Sequence, residues 1–479
     1  GLAPSSSDAR VSGVTSDSRA VRPGDLYAAL PGARHHGAEF AAAAATGGAV
    51  AALTDPGGAS LVAAAGLPTL VVADPRAVLG PLSAQVYDEP ARHLLLLGVT
   101  GTNGKTTVAY LLDAGLRAAG HVTGLVGTVE TRVGDLVAAS ARTTPEAPDL
   151  QALLAVMREH GVTAAAMEVS SHALALRRVD GTVYAAAVFT NLSRDHLDFH
   201  RDLPDYFAAK ARLFTPPFTR VGVVNVDDPW GRRLAASASV PVTTYGAGGD
   251  WRVSDVASGP TGSTFRVRGP GVDVAGRVRL PGAFNVTNAL AAVSTLVTAG
   301  VPVDAAVAGV GGLTGVPGRM ERVDAGQPFL ALVDYAHTPE AVAALLAALR
   351  PVTERRLVIV LGCGGDRDRA KRPLMGAAAT RGADLAVLTS DNPRSEDPLA
   401  ILAAMEAGAR EAAGGREGRY LVEPDRAAAI RLAVAEAGPG DTVVVAGKGH
   451  EQGQEIGGVV TPFDDRAVVR EAIAAGALT

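Results

Sequence analysis

The sequence predicts an α/β protein of three domains, covering about 1–90, 91–317 and 318–479. Three observations lead there. The chain has 479 residues, and at ~100–200 residues per domain that length supports several separate cores. Short continuous apolar runs, the pattern of strands buried on both faces of a parallel sheet, recur along it, and each gives way to a polar loop. The segment Gly315-Val316-Pro317-Gly318 interrupts that pattern before it restarts, which marks a hinge between the second and third domains.

The first ninety or so residues mix short β-like runs with Gly/Pro turns, and the small-residue stretch 41–45 reads as a helix between them. At 94–99 a continuous apolar run leads through a Gly-rich turn into a helical stretch over 106–119 closed by Gly120. The apolar runs at 164–167, 185–189 and 221–224 end in Glu168-Val169-Ser170-Ser171-His172, Thr190-Asn191-Leu192-Ser193-Arg194-Asp195-His196 and Asn225-Val226-Asp227-Asp228. A β-rich, turn-rich insertion follows near 240–282, then a helix from about Asn285 to Ala299 capped by Gly300. In the last third, runs at 329–333, 357–361, 385–389 and 443–446 lead to Asp334-Tyr335-Ala336-His337, Gly362 to Arg367, Ser390 to Arg394 and Gly447 to Glu451. Ligands of open α/β sheets bind outside the carboxyl ends of the strands, so these loops form two ligand-facing edges, one central and one C-terminal.

Composition removes alternatives. A formal net charge of −5 with 4% aromatic residues gives no nucleic-acid footprint. One cysteine, Cys363, excludes an internal disulfide and a Cys-rich zinc site, which fits a cytoplasmic protein. No apolar run of membrane-spanning length and no signal-peptide pattern is present, so membrane insertion is not expected. Gly1 in place of Met is expected to mark a trimmed start. Of 44 basic residues only four are lysines, Lys105, Lys210, Lys371 and Lys448. In a chain that favours Arg so strongly, these four are the first places to look for chemistry a guanidinium cannot supply.

The strongest local signal is Thr100-Gly101-Thr102-Asn103-Gly104-Lys105-Thr106-Thr107 between strand and helix. Glycines let backbone N–H groups wrap phosphate oxygens, the helix N-terminus adds partial positive charge, Lys105 reaches the terminal phosphates and Thr106 can ligate Mg²⁺. Val99 stands where the strict P-loop pattern has its first glycine. The reading is a nucleoside triphosphate site in a P-loop-type central domain.

This loop, together with Met167 to His172, Asn191 to Asp198 and Asp334-Tyr335-Ala336-His337-Thr338-Pro339, resembles the Mur ligases, ATP-dependent amide-bond-forming enzymes of peptidoglycan precursor synthesis. The likeness runs from Thr15 to about Asp465 and is greatest for the members that add the third amino acid. It implies an N-terminal domain holding a UDP-sugar, a central ATPase domain and a C-terminal Rossmann-like domain that closes over the site. The implied reaction phosphorylates the D-Glu γ-carboxylate of UDP-MurNAc-L-Ala-D-Glu and lets an incoming amine displace phosphate. The implied partners are small molecules, and a monomer is expected.

The resemblance also assigns residues. For ATP it implies Gly101 to Thr107, Asn285, Asn288, Arg319, Asp334 and His337; Asn285 reads equally well as a helix N-cap. For Mg²⁺ it implies Thr106, Glu168, His196 and Lys210, with Lys105, Glu168, His196 and Lys210 catalytic. Lys210 matches a lysine carboxylated by CO₂, a reaction open to an amine that can lose its proton and closed to Arg. For the UDP-MurNAc-peptide it implies Ser16, Ser18, Arg34, His35, Thr143, Thr144, Ser170 and Arg178, although Arg142 and Leu176 stand where some relatives have Asn and Gln. For the amino acid it implies Arg367, Asp391, Asn392, Pro393, Arg394, Gly447 and Glu451. Arg394 can form a bidentate pair with a distal carboxylate that meso-diaminopimelate has and L-lysine lacks. A ligase for L-lysine or another diamino acid is the alternative, and Asp391 to Arg394 argues against it. Lys371 has no assigned role.

Overall fold

The computed structural model describes residues 10–476 apart from 33, 141, 260 and 416–418. Three main sheets account for the recurring apolar runs. The first is parallel, in the order Gly13–Thr15, Asp25–Ala29, Ala51–Thr54, Thr69–Val71. The helices Ala41–Thr46, Ala59–Ala64 and Pro75–Val86 accompany it, and a small apolar core lies on each face.

The central sheet has eight strands, in the order Val242–Tyr245, Gly222–Asn225, Ala186–Phe189, Leu95–Thr100, Ala164–Glu168, Thr123–Val126, Glu130–Val133, Leu136–Ala139. The first six run parallel and the last two form an antiparallel edge. Leu95–Thr100 lies in the middle and is apolar because both its faces are covered. One core joins it to the helices Lys105–Ala118, Ala283–Thr298 and Val303–Gly312. The opposite core includes residues of Ala147–Glu159 and Leu203–Ala211. The turn-rich insertion is a three-stranded antiparallel sheet, Arg252–Gly259, Gly262–Gly269 and Val272–Val278.

Past the hinge, a six-stranded sheet runs in the order Glu321–Arg322, Leu330–Asp334, Thr442–Ala446, Leu357–Cys363, Leu385–Ser390, Tyr420–Val422. Only Glu321–Arg322 is antiparallel, and a core covers each face. The strands that carry the predicted polar loops are parallel within each sheet, so those loops emerge at one edge of each domain. Gly318 (φ +66°) seats the hinge on the C-terminal edge: a Cβ there would lie 2.1 Å from the His450 amide nitrogen. Only glycine permits that hinge to press against the loop after Thr442–Ala446.

Candidate active site

The Gly-rich turn places Lys105 at the first position of the helix Lys105–Ala118, after Gly104 at φ +87°. The Lys105 ammonium folds back to donate to the carbonyls of Gly101 and Thr102, both at 2.9 Å. Lys210, on the helix Leu203–Ala211, donates to the same Gly101 carbonyl at 2.8 Å and is 1% exposed. Two amines 105 positions apart thus meet at one oxygen. Burial pushes the Lys210 amine well below its ordinary pKa, and the Lys105 charge pushes the same way.

Glu168, at the end of Ala164–Glu168, is 1% exposed. Its carboxylate accepts from Thr106 Oγ1 (3.1 Å), Thr128 N (2.8 Å) and Thr128 Oγ1 (3.0 Å). Thr106 also accepts from Arg319 of the C-terminal domain at 2.9 Å, and that guanidinium lies 4.4 Å over the Tyr335 ring. Two hard oxygen donors, the Thr106 hydroxyl and the Glu168 carboxylate, therefore stand together at the mouth of the Gly-rich loop. Among the described residues no three His, Cys, Asp or Glu side chains gather as a metal cage. That donor set fits Mg²⁺, which binds few protein oxygens and completes its shell with water and phosphate.

These groups line a cavity of about 680 Å³ between the central and C-terminal domains, together with Thr143, Thr144, Ser170 and Arg178. Several of these are already engaged. Thr144 donates to the Glu168 carbonyl (2.9 Å), Ser170 caps a helix by accepting from Ala173 N (3.2 Å), and Arg178 pairs with Glu146 (3.0 Å). Asn285 and Asn288 line the same cavity. Asn285 is not the N-cap, which is Gly282; its amide donates to the Pro281 carbonyl at 2.7 Å, and Asn288 donates to Asn285 at 3.0 Å. Asp334 and His337 line it too, although Asp334 already accepts from Met320 N past the hinge and from Ala336 N of its own loop. The sequence reading missed an apolar end formed by Phe284, Ala341, Ala344 and Leu345. Its only signal was the helical pattern of 339–349, indistinguishable from ordinary core.

A second cavity of about 210 Å³ lies against the C-terminal sheet edge, lined by Arg367, Asp391, Asn392, Arg394, Gly447, Glu451 and Lys371 among others. Pro393 is not among its lining residues, and its carbonyl packs against Gly365. Arg394 sits at φ +53° and donates to the Gly365 carbonyl at 2.7 Å. Arg367 lies 3.9 Å from Asp198 of the central domain, and Arg194 returns the contact to Asp368 at 3.4 Å. Lys371, unexplained by sequence, donates to the His337 carbonyl at 3.0 Å.

Six residues, His172, Asp195, His196, Tyr335, His337 and Arg367, line both cavities, so the two lie side by side and share a wall. His196 is in the left-handed region (φ +54°), a conformation that costs a non-glycine residue energy and is held here by its surroundings. Burial keeps its imidazole neutral at physiological pH. Burial also works against the Asp195 charge, but His196, His337 and Lys371 around it hold that carboxyl well below the usual carboxylate range. His172 and Asp195 were not singled out from sequence, although both lie inside the quoted motifs. Ser16, Ser18, Arg34 and His35 line neither cavity; they sit on the N-terminal domain, with Ser16, Arg34 and His35 exposed.

Among the described residues no helix is long and apolar enough to cross a membrane. Family models match most of the chain: "Mur ligase family, catalytic domain" over 10–87, "Mur ligase middle domain" over 99–296 and "Mur ligase, glutamate ligase domain" over 318–449. A Streptomyces avermitilis protein named UDP-N-acetylmuramoyl-L-alanyl-D-glutamate--2,6-diaminopimelate ligase is 62% identical over 478 residues, covering 99% of this chain and 94% of that one. A Leifsonia xyli protein named UDP-N-acetylmuramyl-tripeptide synthetase is 49% identical, covering 96% and 92%. A solved structure of a UDP-N-acetylmuramoyl-L-alanyl-D-glutamate--2,6-diaminopimelate ligase superimposes with a TM-score of 0.69 at 36% identity, covering 97% and 95%. With matching domains in this order along the chain and full-length relatives at this identity, the chain belongs to the Mur ligase family of ATP-dependent ligases.

Proposed function

We propose that the protein joins meso-diaminopimelate to the D-Glu γ-carboxylate of UDP-MurNAc-L-Ala-D-Glu, with ATP and Mg²⁺, in peptidoglycan precursor synthesis. The observation that carries this reading is the shared wall between the cavities. The cavity containing Lys105 shares six lining residues with a smaller one rich in Arg and carboxylate groups, the adjacency that transfer of an acyl phosphate to an amine requires. The substrates and nucleotide make the cytoplasm the expected location, and one chain supplies both cavities, so a monomer suffices.

In the first step the γ-carboxylate attacks the γ-phosphorus of ATP and ADP leaves. Lys105 and the N–H groups of 101–107 bind the phosphates, and Arg319 brings a further cation from the opposite domain. Thr106 and Glu168 would hold Mg²⁺, with His196 as a further candidate ligand, and the bound ion would neutralise charge on the transferring phosphoryl group. In the second step the amine attacks the acyl carbon, a tetrahedral intermediate forms and phosphate is expelled. Arg394 and Arg367 would bind carboxylates of the amino acid, while Glu451 and Asp391 offer charge to its ammonium. Asn285 and Asn288 with the Phe284 end would seat adenine. Ser16, Ser18, Arg34 and His35 would hold the uridine nucleotide, with Thr143, Thr144, Ser170 and Arg178 along the peptide.

We also read Lys210 as carboxylated. Two ammonium groups on one carbonyl repel, and a buried amine with a depressed pKa is available to CO₂. The amine attacks CO₂, an N–C bond forms and one proton leaves. The resulting anion beside Lys105 replaces repulsion by attraction. The test of the main reading is ADP release with UDP-MurNAc-L-Ala-D-Glu, comparing meso-diaminopimelate with L-lysine. Selective turnover of L-lysine would overturn the assignment in favour of the other tripeptide-forming specificity.

A further inference from the structure

Lys448 is the last of the four lysines, and the cavities do not use it. Its side chain is 0% exposed and lines neither cavity. The ammonium donates to Asn392 Oδ1 at 2.9 Å and to Glu451 Oε2 at 3.1 Å. Asn392 closes the ring by donating its Nδ2 to the same Glu451 oxygen at 2.8 Å, and its Oδ1 also accepts from Glu455 N at 3.0 Å. The Asn392 amide is therefore oriented by three partners, Lys448 Nζ, Glu451 Oε2 and Glu455 N, from the facing loop and the hairpin that follows. Glu451 Oε1 has no hydrogen-bond partner among the described residues, and Glu451 lines the smaller cavity.

We infer that Lys448 is a positioning residue for amino-acid selection: from beneath the cavity it fixes Asn392 and turns the free oxygen of Glu451 toward the incoming ammonium. This rests on the reading of that cavity as the amino-acid site. The geometry also explains why Arg is absent here. Three tetrahedral donors on a slim stem can reach two side chains from a space closed to solvent, whereas a planar guanidinium is larger and would overpack it. Lys448 acts through Glu451 and Asn392, so its effect belongs to amino-acid binding and leaves the nucleotide site alone.

The test is a double-mutant cycle of Lys448→Met and Glu451→Gln, with KM measured separately for the amino acid and for ATP. Loss of hydrogen bonds to a charged group predicts a rise in amino-acid KM of about 10- to 100-fold for Lys448→Met, with ATP KM within about twofold. The double variant should bind little worse than Glu451→Gln alone, because the larger part of the Lys448 effect reaches the ammonium through the Glu451 carboxylate. Additive effects, or an equal rise in ATP KM, overturn the inference. Lys448→Gln, which keeps an amide donor, should restore part of the loss; it carries the same cycle if the methionine variant does not fold. The cycle is run with whichever of meso-diaminopimelate, L-lysine or L-ornithine the wild type turns over. Selection of another diamino acid by the wild type then counts against the proposed function, while non-additivity still decides the role of Lys448.

Discussion

Asp465→Asn should destabilise the C-terminal domain selectively. Arg426 and Asp465 are both 0% exposed, and the guanidinium meets the carboxylate through two bonds of 2.7 Å. Its remaining donors reach the carbonyls of Ser390 (3.3 Å) and Ala446 (3.0 Å), the last residues of the two strands that carry the amino-acid loops. Burial works against the guanidinium charge, and Asp465 more than offsets it. Removing that carboxylate leaves a buried cation without its counter-ion, which costs about 3–5 kcal/mol. With a urea dependence of about 2 kcal/mol per molar for a domain of this size, the midpoint should fall by about 2 M. Two probes separate the domains. Both tryptophans, Trp230 and Trp251, lie in the central domain, so fluorescence follows that domain while far-UV circular dichroism follows the whole chain. The variant should show an early dichroism transition, an unmoved fluorescence transition and faster hydrogen exchange in 385–394 and 442–451. Replacing both partners, Arg426→Met with Asp465→Leu, should recover most of the loss. A dichroism midpoint within about 0.5 M of wild type, at that same urea dependence, would show that the pair does not carry this energy.

Lys210→Ala should abolish most turnover, and native mass spectrometry of wild type kept in bicarbonate should show an added mass of one CO₂ that the variant lacks; full activity without the adduct refutes the carbamate. Arg394→Ala should raise the KM for meso-diaminopimelate by about 10- to 100-fold through loss of a bidentate charged contact, with ATP KM little changed; equal losses for both substrates count against the specificity assignment. His450 is held at about 4 by burial and by Arg319 and Arg466, so it is neutral in the folded protein near pH 7. An unfolded chain, with its ordinary value of 6.5, takes up that proton first as pH falls, so the fold loses stability between about 6.5 and about 4. Urea midpoints of His450→Gln should therefore depend less on pH across that window; an unchanged dependence means another group sets it.

The residue pattern alone dictates the strand, loop and helix units and the Gly-rich phosphate loop, because a parallel strand covered on both faces must be continuously apolar and a phosphate must meet bare backbone. It determined as well that polar residues follow the strands, and parallel topology turns that local pattern into a shared edge. Sequence could not say which of those residues stand free to bind. Asn392 and Asp334 carry the right chemistry, yet their side chains are engaged by neighbouring segments, Asn392 by Lys448 and Glu451 and Asp334 by Met320 N and Ala336 N. Only the tertiary structure brought Lys210 to the Gly101 carbonyl beside Lys105. Only it sealed Lys448 beneath the cavity and Arg426 against Asp465. It also set the two cavities on either side of a shared wall built of loops from both domains. The reason is physical: an ionisable group's behaviour depends on burial and on the charges within a few ångströms, and both are set by crossovers and domain packing that join residues far apart in the chain.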